Sequence, residues 1–101
     1  MSTLFAQRLK DARQRAGLSQ EALGIEAGLD PMSASVRMNR YELAKRTPDL
    51  ELVIRIAQVL GVPAAYFYAT SDDEATLLLK FHRLTKSQRA KVFTCIDEIA
   101  T

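Results

Sequence analysis

The fold of this chain is decided by residues 18–41, LSQEALGIEAGLDPMSASVRMNRY. Ser19 is a good helix cap, because its hydroxyl can accept a hydrogen bond from a free backbone N–H of the first turn. A short helix is therefore predicted over residues 20–27, and Gly28 tolerates the left-handed conformation that ends a helix. A second short helix follows the connector at residues 29–33. The stretch predicts two helices joined by a tight connection.

The second helix of this pair has an unusually polar surface. Its cap is Ser33 or Ser35, and the apolar residues that it can bury are Val36, Met38 and Tyr41. Its polar face carries Ser35, Arg37, Asn39 and Arg40. Such side chains suit base edges and phosphates, and they suit water equally well. Composition alone leaves both interpretations open.

Helical periodicity continues on both sides of this stretch. Apolar residues recur every three or four positions in further segments, and no segment alternates with period two over a useful length. The additional predicted helices span residues 3–16, 50–60, 63–68, 73–83 and 85–100. Ser2 or Thr3 caps the helix at residues 3–16, and Asp49 caps the helix at residues 50–60. Thr85 and Gln88 form a capping box that opens the helix at residues 85–100. The chain is therefore predicted to be all-α.

Size and charge restrict the class of protein. A chain of 101 residues can build one modest core, and no run approaches the roughly 18 apolar residues of a membrane span. Residues 1–46 hold eight Lys and Arg against five acids, whereas residues 47–101 hold six against seven. This asymmetry suggests that the N-terminal part meets a polyanion. The lack of an apolar leader and the single cysteine, which excludes an internal disulfide, fit the cytoplasm.

No catalytic or metal-binding pattern occurs in the sequence. His82 has no second histidine or cysteine at ligand spacing, so a structural or surface position is the simpler interpretation. Cys95 shares its helix with Phe93 and Ile96, which predicts a buried, inert thiol. The aromatic run at residues 66–68 is predicted to be core, with a stacking platform for single strands as the alternative. We therefore expect no enzyme, no cofactor and no metal.

Four motifs occur in a fixed order along the first three-fifths of the chain. They are GLSQEAL at 17–23, AG at 27–28, MNRYE at 38–42 and KRTPDLELVIRIAQVLGV at 45–62. In this order they resemble the helix-turn-helix domain of the Cro/CI repressor type, the XRE-like family. The resemblance implies a lambda-repressor-like five-helix DNA-binding domain over residues 1–69 and a C-terminal helical hairpin over residues 70–101. It also implies that residues 34–43 form a helix that lies in the major groove.

The resemblance further implies roles for individual residues. The positions that read bases are matched by Ser35, Val36 and Arg40 and are bordered by Arg37 and Asn39. Arginine can pair bidentately with guanine, whereas valine can only touch a thymine methyl or pack. The positions that contact phosphates are matched by Ser19, Gln20, Lys45 and Arg46. Arg13 and Glu42 match an ion pair that ties the first helix to the end of the third.

Two departures from the family pattern affect this interpretation. The connector at residues 29–33 is longer than the usual turn, which leaves the start of the third helix and the register of Ser35 and Val36 to be established. Relatives commonly carry a left-handed glycine where this chain has Ala44. Alanine costs roughly 1 kcal/mol in that conformation, or else the chain takes another path.

The last two predicted helices carry more apolar residues than a single hairpin can bury. They either fold back onto the core or pair with a second subunit, and we expect pairing because one reading helix contacts too few base pairs for useful selectivity. The expected function is that of a homodimeric transcriptional regulator on an inverted-repeat operator in double-stranded DNA, which represses by blocking polymerase or activates by recruiting it from an upstream site. The alternative is a protein-interaction module, such as an antitoxin, that keeps the helix-turn-helix as a scaffold.

Overall fold

All regular elements in the computed structural model, which describes residues 3–101, are helical. The six α-helices are α1 (Thr3–Arg15), α2 (Gln20–Glu26), α3 (Ala34–Glu42), α4 (Leu50–Leu60), α5 (Asp72–His82) and α6 (Lys86–Ala100). A 3-10 helix, Ala64–Tyr68, stands between α4 and α5. The all-α prediction is confirmed. Ser2, one of the two predicted caps of α1, lies outside the described residues.

The core lies where α1, α2, α3, α4 and the 3-10 helix meet. Its largest fully buried side chains are Leu9, Leu23, Met38, Val53, Ile56 and Phe67. Asp49 caps α4 as predicted, because its Oδ1 accepts a hydrogen bond from the Leu52 N–H at 2.8 Å. Two further apolar residues of α4, Leu50 and Ile54, lie on its solvent side. The buried face of α4 is therefore narrower than the sequence pattern indicates.

The aromatic run at the end of this domain is mostly core. Tyr66 and Phe67 are buried, and Phe67 packs against Phe5 of α1 with ring centroids 5.4 Å apart. Tyr68 is half exposed, although its ring also contacts Phe5 at 5.4 Å. The core interpretation of the run is therefore right for two of its three members.

Arg8 connects α1 to the segment that leads into α5. Its guanidinium donates to the Ala69 carbonyl from Nε at 3.0 Å and from Nη2 at 2.8 Å, and it lies 5.5 Å from the centre of the Tyr66 ring. A longer contact of 3.5 Å reaches the exposed carboxylate of Asp72. Arg8 is buried although most arginines are solvated, because it supplies donors to the Ala69 carbonyl between the 3-10 helix and α5.

The C-terminal hairpin extends away from this core, so that the molecule is 52 Å long and 25 by 22 Å across. Thr85 and Gln88 form the predicted capping box at the start of α6. Phe81 of α5 packs edge-on against Phe93 of α6, with ring centroids 5.5 Å apart. No residue of α6 is buried. Cys95 is therefore exposed, and the prediction of a buried thiol is wrong because α6 packs along one side only.

Candidate nucleic-acid interface

The connection between α2 and α3 is an ordered turn. Gly28 takes a left-handed φ of 95°, as its position after α2 predicts. The Asp30 carboxylate then accepts from the Met32 N–H at 2.9 Å, and the Ser33 N–H donates to the Asp30 carbonyl at 3.0 Å. Ser33 occupies the N-cap position of α3 but makes no capping hydrogen bond with its side chain. The turn takes up the long connector, so α3 begins at Ala34.

A glycine brings α2 and α3 unusually close together. A Cβ atom placed on Gly24 would lie 2.8 Å from the Cβ of Ala34 and 3.1 Å from its carbonyl oxygen. Two backbones can approach this closely only where a side chain is absent. Sequence reasoning missed Gly24, although a glycine inside a predicted helix is itself a signal of close packing.

The inner and outer faces of α3 are clearly separated. Ala34, Met38 and Tyr41 are buried against the core, whereas Val36, which was expected among the buried residues, is 54% exposed. All five residues assigned to base reading are exposed: Ser35, Val36, Arg37, Asn39 and Arg40. Leu43 is also 54% exposed, and the sequence analysis assigned no role to it. It follows Val36 by seven residues, or about two helical turns, and therefore lies on the same outer line.

An ion pair fixes the end of α3 to α1. The Arg13 Nε lies 2.6 Å from Glu42 Oε2, and Arg13 Nη2 donates to Oε1 at 2.9 Å, so the contact is bidentate. The remaining Arg13 Nη1 donates to the Leu18 carbonyl at 2.9 Å. The side chains are 13% and 3% exposed, respectively. The hydrogen bonds with Glu42 raise the pKa of Arg13 above its ordinary value.

Two residues assigned to phosphate contacts stand at the start of α2. Gln20 Nε2 donates to Asn39 Oδ1 at 3.1 Å and to Glu42 Oε1 at 3.2 Å, so it joins α2 to the outer face of α3. Ser19 Oγ accepts from the Ala22 N–H at 3.0 Å. Its hydroxyl hydrogen remains able to donate.

The other two such residues, Lys45 and Arg46, follow α3 in a loop that folds back on the helix. Ala44 takes the left-handed conformation with a φ of 59°, so alanine occupies the position that the family gives to glycine. The Lys45 N–H then donates to the Arg40 carbonyl at 2.9 Å, and the Arg46 N–H approaches the same carbonyl at 3.4 Å. Both long side chains are exposed beside the C-terminal end of α3.

A cationic cleft lies between the end of α3 and the start of α4. Its volume is about 380 Å³, and its lining residues are Arg37, Arg40, Tyr41, Arg46, Thr47 and Asp49. The cleft holds three guanidinium groups and one carboxylate. An open cleft of this charge suits an anionic group.

The order of these elements matches a known domain. A family model described as a helix-turn-helix domain matches residues 4–66. The chain belongs to the helix-turn-helix family of transcriptional regulators. A crystal structure of the transcriptional regulator BswR superimposes with a TM-score of 0.85, at 42% identity over 92% of each chain. The SPbeta prophage-derived uncharacterized HTH-type transcriptional regulator YonR of Bacillus subtilis (strain 168) is 26% identical over 98 residues, which cover 87% of each chain.

The part that the family model matches contains α1 to α4 and most of the 3-10 helix. The similarity to BswR continues through the hairpin, because coverage of 92% leaves too few residues unmatched to omit it. Within residues 3–101, no helix has the length and apolar character to span a membrane, and no group of acidic, histidine and cysteine side chains could hold a metal ion.

Proposed function

We propose that this protein binds double-stranded DNA sequence-specifically as a homodimer, with α3 in the major groove, and represses transcription by occupying its operator. The observation that carries the proposal is the division of α3 into two faces. Ala34, Met38 and Tyr41 are buried in the core, while Val36 and the polar and cationic residues project into solvent. A helix held in this way can enter the major groove without unfolding any part of the domain.

Base reading is assigned to the outermost residues of α3. Arg40 can donate two hydrogen bonds to a guanine, and Val36 can contact a thymine methyl. Asn39 Oδ1 accepts from Gln20, which leaves the Asn39 amide hydrogens to donate to a base. Ser35 lies at the first turn of α3 and can donate or accept. The exposure of these four side chains supports this assignment.

Backbone positioning is assigned to side chains on either side of α3. Ser19 and Gln20 lie at the start of α2, whereas Lys45 and Arg46 lie in the loop after α3. Contacts at both ends would fix the helix in register while carrying no sequence information themselves. Both amide hydrogens of Gln20 are used by Asn39 and Glu42, so Gln20 would donate to a phosphate by exchanging one of these two bonds.

Dimerisation is assigned to the α5–α6 hairpin. Its two helices leave an apolar groove lined by Leu77, Leu78, Phe81, Val92, Phe93 and Ile96. Phe93 is 58% exposed and Ile99 is 78% exposed, which is a large apolar surface for a free hairpin. A second copy of the chain fits this groove, because a two-fold dimer presents two α3 helices to two half-sites.

The charges of the hairpin also favour an antiparallel second copy. Acidic residues lie at the end where α5 begins and α6 finishes: Asp72, Asp73, Glu74, Asp97 and Glu98. Basic residues lie at the turn between the helices: Lys80, Arg83, Lys86, Arg89 and Lys91. Two hairpins packed in opposite directions would place the acidic end of one beside the basic end of the other.

DNA recognition is tested by selecting bound duplexes from a random pool at physiological salt. We expect enrichment of an inverted repeat whose half-sites are about one helical turn apart. The affinity of the enriched duplex should fall steeply with salt. Weak binding without enrichment would overturn the proposal and favour a protein-binding scaffold.

Dimerisation is tested by sedimentation of the wild type and of Phe93→Glu. The wild type should be a dimer, and Phe93→Glu should be a monomer that binds the inverted repeat far more weakly. Thr94→Glu places the same charge on the opposite side of α6 and should remain dimeric. A monomeric wild type at micromolar concentration would overturn the dimer.

A further inference from the structure

We infer that Arg37 and Arg46 together hold one phosphodiester group of the DNA backbone, and that Arg37 takes no part in reading bases. This inference rests on the proposed function and refines it, because the family resemblance places Arg37 at the border of the base-reading positions. Arg37 and Arg46 both line the cationic cleft, which lies on one side of α3.

The position of Arg37 on the helix is the first observation. Successive residues of an α-helix are turned by about 100°, so Val36 lies about 170° and Arg40 about 130° from the centre of the buried face of α3. Arg37 lies only about 70° from that centre, on the side of the helix rather than on its outer line. A helix that approaches a groove with its outer line reaches the sugar–phosphate backbone with its sides.

The second observation is that Tyr41 holds the Arg37 side chain. Arg37 Nη2 donates to the Tyr41 hydroxyl at 2.9 Å, and the Tyr41 side chain is itself buried in the core. The bond spans one helical turn and directs the guanidinium along the side of α3 into the cleft. Arginine has five N–H donors, so this bond leaves others for a ligand.

The third observation is that the following loop brings a second guanidinium to the same cleft. The left-handed Ala44 turns the chain back, and Arg46 lines the cleft together with Arg37. Asp49 also lines it, but Asp49 Oδ1 is used by the Leu52 N–H at 2.8 Å. Three guanidinium groups therefore line this space with one carboxylate, and one oxygen of that carboxylate is already engaged. Arg40 is the one of the three that lies nearer the outer line of α3, so Arg37 and Arg46 are the pair assigned to the phosphate.

The ligand that fits is a phosphodiester. Its two free oxygens accept forked hydrogen bonds from guanidinium groups, and its single charge is balanced by the excess of cations in the cleft. The same chemistry offers nothing that distinguishes one base pair from another. Arg37 is therefore assigned to affinity and Arg40 to selectivity.

The inference is tested first by the salt dependence of binding. Affinities of the wild type, Arg37→Ala and Arg40→Ala are measured on the selected duplex and on a random duplex over a range of salt. Arg37→Ala should weaken both duplexes by the same factor, roughly tenfold, and lower the salt slope by about one. Arg40→Ala should instead weaken mainly the selected duplex. Tyr41→Phe keeps the buried ring and should give a smaller, equally non-selective loss than Arg37→Ala.

A second measurement identifies the phosphate itself. Each phosphate of the selected duplex is replaced in turn by a neutral methylphosphonate. The wild type should lose affinity at one position where Arg37→Ala loses clearly less, because the variant has already lost the Arg37 contact with that phosphate and keeps only the Arg46 contact. Relaxed selectivity at a base pair in Arg37→Ala, or losses that add at every position, would overturn the inference while the proposed function stands. A wild type that prefers no duplex would overturn both.

Discussion

Removal of the Glu42 carboxylate should destabilise this protein more than any surface change, because it leaves the half-buried Arg13 without its partner. Both oxygens of Glu42 bond the guanidinium, and the Glu42 side chain is only 3% exposed. Loss of one member of a buried pair costs about 3–5 kcal/mol. Arg13 is partly exposed and keeps its bond to the Leu18 carbonyl, so we expect about 3 kcal/mol for Glu42→Ala.

The assay is urea unfolding followed by circular dichroism, at one fixed protein concentration because a dimer gains stability with concentration. A domain of this size is stable by about 5–15 kcal/mol, so the loss should move the midpoint clearly. Glu51→Ala is the matched control, since Glu51 pairs with Arg55 at 3.4 Å but is 85% exposed. That pair should contribute less than about 1 kcal/mol.

A double variant shows whether the loss of stability comes from the unpaired charge of Arg13 or from lost packing. Arg13→Met with Glu42→Leu removes both charges and keeps apolar volume, so it should recover much of the stability that Glu42→Ala loses. The reasoning is refuted if Glu42→Ala costs no more than Glu51→Ala, or if the double variant is less stable than Glu42→Ala.

Four further changes test separate parts of the structure. Arg40→Ala should cost about 1–3 kcal/mol on the selected duplex and relax selectivity at one base pair; equal losses on random DNA would contradict its reading role. Gln20→Ala should weaken all duplexes alike by filter binding. Gly24→Ala should lower the free energy of unfolding by about 1–2 kcal/mol, because the new methyl would meet Ala34, and an unchanged midpoint would show that α2 and α3 can separate freely. Ala44→Gly should raise that free energy by up to about 1 kcal/mol, since relief of a left-handed alanine exceeds the entropy that glycine adds to the unfolded chain.

Much of the fold could be predicted from residues that act locally. Ser19, Asp49 and Thr85 each cap the helix that follows, because a hydroxyl or carboxylate beside free N–H groups needs no distant partner. The pair of Arg13 and Glu42 came instead from the family resemblance, and the structure shows the bidentate contact. Local patterns were therefore sufficient to predict the helices, and the ordered motifs were sufficient to predict the ion pair between Arg13 and Glu42.

The features that sequence reasoning missed depend on neighbours far along the chain. Arg8 meets carbonyls about sixty residues away, so nothing near it in sequence marks it as buried. Cys95 was taken for core because its helix is amphipathic, yet within residues 3–101 that helix packs along one side only, against α5, and Cys95 is exposed. The side-on direction of Arg37 depends on its bond to Tyr41, which composition does not reveal.

The Arg8 contact has a consequence for the DNA sites that the proposed dimer would accept. Arg8 of α1 is buried and donates two hydrogen bonds to the carbonyl of Ala69 just before the hairpin begins, so we expect little movement of the hairpin relative to α1. One inserted base pair between half-sites moves the second by about 3.4 Å and turns it by about 35° around the duplex axis. Two α3 helices held at a fixed distance and angle in a dimer cannot follow that combined shift and rotation. We therefore expect the dimer to bind only sites with one spacer length between the half-sites. Arg8→Ala should bind sites with longer and shorter spacers as well.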